Sequence, residues 1–109
     1  MSDPDQSFAV DVELDGHDGP CVRARGELDA YTSLDLRRAI EDVAKQQPGV
    51  VRVDMSGVSF MDSFGLSTLL ALARALEAQG SRLVIIDPSD KVWRVIELTG
   101  TDKRLEIRR

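Results

Sequence analysis

The chain has 109 residues, 42% hydrophobic and 30% charged, which suits one packed domain and argues against wholesale disorder. Its net charge is −5 and no basic run interrupts it, so neither nucleic acid nor an anionic membrane finds a matching surface. A single histidine, His17, and a single cysteine, Cys21, exclude an internal disulfide, a cysteine-rich zinc site and a histidine-cluster metal site. With no signal peptide and no apolar run near ~18 residues, the chain reads as cytoplasmic. The charge is uneven along the sequence. Residues 1–35 hold nine acids against Arg23 and Arg25, whereas the rest carries ten acids and twelve bases.

Residues 1–7 are polar and aperiodic, a flexible lead-in ahead of a single domain over 8–109. Phe8, Val10, Val12 and Leu14 alternate with Ala9, Asp11 and Glu13, the period of a half-buried strand. The turn-forming stretch from Asp15 to Pro20 then leads into a second strand from Cys21 to Gly26, so the pair makes a hairpin. Thr32 is placed to cap a helix whose Leu36, Ile40 and Val43 share one face, and Pro48-Gly49 stops it. Val50 to Asp54 is short and β-branched, a third strand, and Met55 to Asp62 reads as a connecting loop. From Ser63 to Gln79, Leu66, Leu69, Leu70, Ala73 and Leu76 predict a helix closed by Gly80. The continuous apolar run Leu83 to Ile86 predicts an interior strand covered on both faces. Ser89 caps a last helix carrying Val92, Val95 and Ile96, ended by Gly100, and Leu105 and Ile107 suggest a final short strand. The order β-β-α-β-α-β-α-β predicts a small α/β sandwich with a mixed sheet, its strand–helix–strand unit over 50–86 pairing in parallel.

The junction from Asp54 to Leu66 departs from plain folding logic. It places Val58, Phe60, Met61 and Phe64 in or beside a surface loop and puts Ser63 at the start of a helix, with Asp62 as its cap. Gly65 stands in that first turn, where alanine would be better by ~1 kcal/mol, and permits close approach by another group. Loop side chains tucked under the loop, with Asp-Ser as an ordinary cap, account for the same pattern. A hydrolase nucleophile elbow does not fit, because Met61 stands where that motif has its first glycine and His17 precedes the serine. A phosphate-receiving aspartate at Asp54 lacks the acidic pair that would hold Mg²⁺ after the first strand. Glycine-rich phosphate loops are missing altogether.

Gly26-Glu27-Leu28-Asp29 and Val58-Ser59-Phe60-Met61-Asp62-Ser63-Phe64-Gly65-Leu66 together resemble a STAS domain, and more narrowly the bacterial anti-sigma factor antagonists, over roughly residues 8–107. That resemblance implies a non-enzymatic regulator of the STAS-type sandwich fold, needing no cofactor or metal. Its unmodified form binds an anti-sigma factor that is also a serine kinase, which frees the sigma factor. Phosphorylation of Ser63 by that kinase then dissolves the complex, and a serine phosphatase restores it. By the same resemblance the partner surface comprises Asp29, Tyr31, Val58, Phe60, Met61, Asp62, Phe64, Gly65 and Leu66. Two departures stand out: Phe64 replaces the second hydroxyl residue common after the phosphoserine, and the sequence stops at Arg109, where many relatives continue into another helix.

The expected oligomeric state is a monomer or weak dimer. Ser59, Ser67 and Thr68 are fallback acceptors. Trp93 reads as half-buried packing, Cys21 as a small hydrophobe, His17 as an exposed turn residue and Arg108-Arg109 as a solvated basic end. Two other functions stay open: a STAS subunit scaffolding a stressosome-type or lipid-transport assembly, and a sensor of a nucleotide or small ligand using the Asp29 and Ser63 loops.

Overall fold

A computed structural model describes residues 8–109; the expected lead-in lies outside the described residues. The described residues form strands β1 (Ala9–Glu13), β2 (Cys21–Leu28), β3 (Val50–Met61), β4 (Arg82–Ile86) and β5 (Glu106–Arg108). Helices α1 (Thr32–Gln46), α2 (Ser63–Ala78) and α3 (Asp90–Thr99) connect the later strands, and a 3-10 turn at Thr101–Lys103 precedes β5. The strands lie side by side in chain order, β1-β2-β3-β4-β5. Only β1–β2 is antiparallel; the other three pairings are parallel. The fold is the mixed-sheet α/β sandwich expected, with a parallel crossover at β2-α1-β3 as well as at β3-α2-β4.

Strand register sorts the side chains into two faces. Val22, Val53 and Ile85 are neighbours across β2, β3 and β4, as are Val51 and Leu83. These join Leu36 and Ile40 of α1, Leu66 and Leu69 of α2, and Val92 and Ile96 of α3 in one core. All three helices thus feed the same side of the sheet. The opposite face presents Cys21, Arg23, Arg52, Asp54, Arg82, Val84, Glu106 and Arg108, knitted by cross-strand ion pairs. Cys21 and Val84 are nonetheless fully buried there. Arg52 neighbours both in register, and long arginine stems cover apolar surface while keeping the charge in water.

Four expectations are corrected. Met55–Met61 is not a loop: β3 runs on through it, because Gly57, Val58, Phe60 and Met61 pair with β2 from Arg25 to Leu28. Ser56-Gly57 imitated a turn, but β2 supplies ladder partners that no local signal reveals. Thr32 is not the cap of α1; Tyr31 holds that position without a side-chain bond, and Thr32 is the first helical residue. In α2 the buried stripe is Gly65, Leu66, Leu69, Leu72 and Leu76, while Leu70 and Ala73 are half-buried. On β1, likewise, the expected alternation is weak, since Val12 is exposed at the sheet edge.

Past Asp54, β3 has outrun β4, and α3 takes the place of a neighbouring strand. Ser89 N–H donates to Met55 O (3.2 Å), and its hydroxyl donates to Val58 O (2.6 Å) while accepting from Val92 N–H (3.3 Å). One serine therefore caps α3, as expected, and ties the helix to otherwise unpaired strand backbone. No helix of the described residues is long and apolar enough to cross a membrane.

Candidate functional site

Both sequence motifs finish at the same end of the sheet. Register pairs Glu27 with Phe60 and Leu28 with Met61, so Asp29 and Asp62 leave neighbouring parallel strands side by side. Asp62 N–H donates to Leu28 O (3.2 Å), fastening the two exits together. This is the carboxyl end of parallel strands, where loops and helix starts can gather functional groups.

Gly26 owes its place to the backbone. Its φ is 101°, and it sits at a register shift between β2 and β3, a conformation that side-chain-bearing residues rarely adopt. Asp29 then organises the entry to α1. Its Oδ1 accepts from Tyr31 N–H and Thr32 N–H (both 3.0 Å), and Thr32 Oγ1 accepts from Asp29 N–H (2.9 Å). The Thr32 amide bond leads in holding the Asp29 carboxyl below the usual carboxylate range, aided by the Thr32 hydroxyl and the Tyr31 amide. The aspartate therefore does the capping work expected of Thr32, from three residues upstream.

Asp62 plays the matching part for α2. Its Oδ1 accepts from Phe64 N–H and Gly65 N–H at 3.0 Å each, the expected cap. Ser63 is the first residue of α2 and is exposed. Gly65 is buried against the end of β2: an added Cβ would lie 2.9 Å from Leu28 O and 2.9 Å from Met61 Cγ. The close approach anticipated for this glycine is thus to its own domain.

The apolar residues named for the surface divide sharply. Tyr31 is 86% exposed, Phe64 61% and Phe60 46%. Val58, Met61, Gly65 and Leu66 are buried and face the interior, so they support the site from beneath instead of forming its rim. The register shift between Gly26 and Glu27 explains the strand part of the division: it gives β3 one extra residue, so Val58 and Met61, three apart, both turn inward while Phe60 faces out. Leu34, 52% exposed in the first turn of α1, joins the exposed group. Sequence reading missed it, although its place outside the Leu36/Ile40/Val43 stripe was a usable signal. The result is an exposed serine on a rigid helix start, beside two aspartates occupied in capping and several uncovered apolar side chains. Among the described residues no group of three or more His, Cys, Asp or Glu is placed to hold a metal ion.

Comparison with known proteins agrees with this geometry. The STAS domain family matches residues 11–109. The chain belongs to that family. Within it, an anti-sigma-B factor antagonist of Listeria monocytogenes is 36% identical over 102 residues, covering 94% of this chain and 90% of its own. The crystal structure of an anti-sigma factor antagonist from Mycobacterium paratuberculosis superposes with a TM-score of 0.80 at 33% identity, covering 99% of this chain and 90% of that one. The phosphorylated form of the Bacillus cell fate determinant SpoIIAA gives a TM-score of 0.67 at 26% identity, over 91% and 90% of the two chains.

Proposed function

We propose that this protein is an anti-sigma factor antagonist that works by partner switching, with Ser63 as its phosphorylation site. The observation that carries the reading is Ser63 itself, exposed at the first position of α2 next to the exposed Phe64, where β2 and β3 end side by side. The relatives named above support the regulatory class, and SpoIIAA, at 26% identity, exists in a phosphorylated form. In this reading the protein acts in the cytoplasm as a binding module. It occupies an anti-sigma factor that is also a serine kinase, frees the sigma factor, and is released when that kinase transfers phosphate from ATP to Ser63 Oγ. A serine phosphatase then returns it to the binding form.

The physics of the switch is local. Phosphorylation brings about −1.5 to −2 charges to the start of α2, where the helix dipole favours an anion, so the fold tolerates it. The two nearest capping amides, of Phe64 and Gly65, already serve Asp62. The new charge therefore remains beside a carboxylate and an apolar rim. A partner seated on that rim would have to desolvate it, and each ~1.4 kcal/mol of that cost lowers affinity tenfold.

Titration of the cognate anti-sigma factor by isothermal calorimetry tests the proposal. Ser63→Ala should bind like the unmodified protein, and Ser63→Glu should bind at least about tenfold more weakly. Equal affinities for the two variants would overturn the switch. Kinase and ATP should add one phosphate to the wild type and none to Ser63→Ala, as read by intact mass.

A further inference from the structure

The sheet face without helices holds a cavity of about 420 Å³ that is lined by neither Asp29 nor Ser63. Arg52, Arg82, Arg108 and Arg109 line it, with Asp18 and Asp87, and Val50 and Ile86 contribute apolar surface. Four guanidiniums thus face two aspartates in a chain whose net charge is −5. The Glu106 carboxylate engages two of them, Arg82 at 2.8 Å and Arg108 at 3.4 Å.

The other two are held by neutral groups. Arg52 Nη2 donates to Gly19 O at 3.0 Å, and the Arg109 guanidinium lies 4.1 Å from the centre of the Trp93 ring. A carbonyl and an indole orient a guanidinium without cancelling its charge. Neither arginine pairs with a carboxylate among the described residues. Arg52 Nε is also buried with no hydrogen-bond partner among those residues. A buried, unpaired donor on a charged group is costly, and such groups call for a partner.

We propose that this cavity binds a small soluble phosphate ester, with Arg52 and Arg109 supplying the charge that holds the phosphate. Guanidinium forks match phosphate oxygens in pairs, and two guanidiniums with no carboxylate in an ion pair leave their forks free for a phosphate. The volume exceeds what a lone phosphate fills and lies within the range of ordinary small-ligand pockets, so the organic part of an ester has room along Val50 and Ile86. The site is separate from the Ser63 switch, since its lining includes neither Asp29 nor any residue of α2.

An NMR titration of the isotopically labelled full chain with sodium pyrophosphate, against sodium chloride at matched ionic strength, tests the assignment. Saturable shifts should appear in the amides of β3, β4 and β5 with pyrophosphate alone. Arg52→Gln and Arg109→Gln should each weaken binding about tenfold, whereas Arg37→Gln on α1 should not change it. Arg109 is exposed and lies outside the core, so its variant retains the fold even if replacing Arg52 disturbs packing. Shifts that chloride reproduces, or an unchanged affinity in Arg109→Gln, would overturn the proposal. Binding to phosphatidate vesicles without binding to pyrophosphate would overturn the soluble ligand in favour of a lipid headgroup.

Discussion

Asp29 shows how a single residue shapes the surface around it. Its carboxylate receives the Tyr31 and Thr32 amides and thereby sets the turn that projects Tyr31 into solvent. Because those bonds favour the ionised form, its folded pKa lies below the unfolded one, near ~3.9. The stabilisation is therefore complete above that unfolded value and fades as pH falls through the folded one. Asp29→Asn should lower the melting temperature at neutral pH, and the gap from wild type should close below about pH 4. Thermal melts across that range check it, and a gap independent of pH would show that the charge is not what the turn uses. Gly26 and Gly65 make a complementary point: the first was legible only as part of a motif, and the structure supplies its positive φ as the reason.

At the scale of elements, the informative piece is β3, twelve residues long where its neighbour β4 has five. Ser56-Gly57 breaks the apolar alternation, and no local cue announces the partner strand. Val58 and Met61, three residues apart, both turn inward because the register shift against β2 inserts one extra residue between them. Helices were easier. Their stripes and caps are written within a few residues, as Asp62 and Ser89 show. Ser89→Ala removes both the cap of α3 and its tether to Val58, and should destabilise the protein by about 1–3 kcal/mol. Urea unfolding measures this. A loss confined to a few tenths of a kcal/mol would mean that α3 is held by Val92 and Ile96 alone.

Across the whole molecule the two faces of the sheet have separate tasks. One packs against every helix, and its core includes Leu28 and Leu66, which support the Ser63 end of the sheet from within. The other is a lattice of charges in which Arg25 meets Asp11 and Arg23 meets both Glu13 and Asp54. Of the acids in the first third of the chain, Asp11 and Glu13 are answered within the hairpin itself. Cys21, buried beneath this face, reports on the integrity of the whole sheet. Burial pushes its thiol up, and the residue is 1% exposed, so it is neutral and shielded at pH 7. Labelling with an excess of a thiol reagent should require global opening and follow the same denaturant dependence as loss of helix signal. Rapid complete labelling of the native protein would show that β2 opens on its own.

The sequence alone determined the order of elements, the capping of α2 by Asp62 and of α3 by Ser89, and the placement of Ser63 at a helix start. All of these depend on residues close together in the chain. Only the tertiary structure decided which apolar residues of the Val58–Leu66 stretch reach solvent, because that depends on strand pairing with residues more than thirty positions away. It also decided that Arg52, Arg82, Arg108 and Arg109 share one cavity. Their spacing in sequence carries no such signal, and adjacency across a sheet is fixed by register alone.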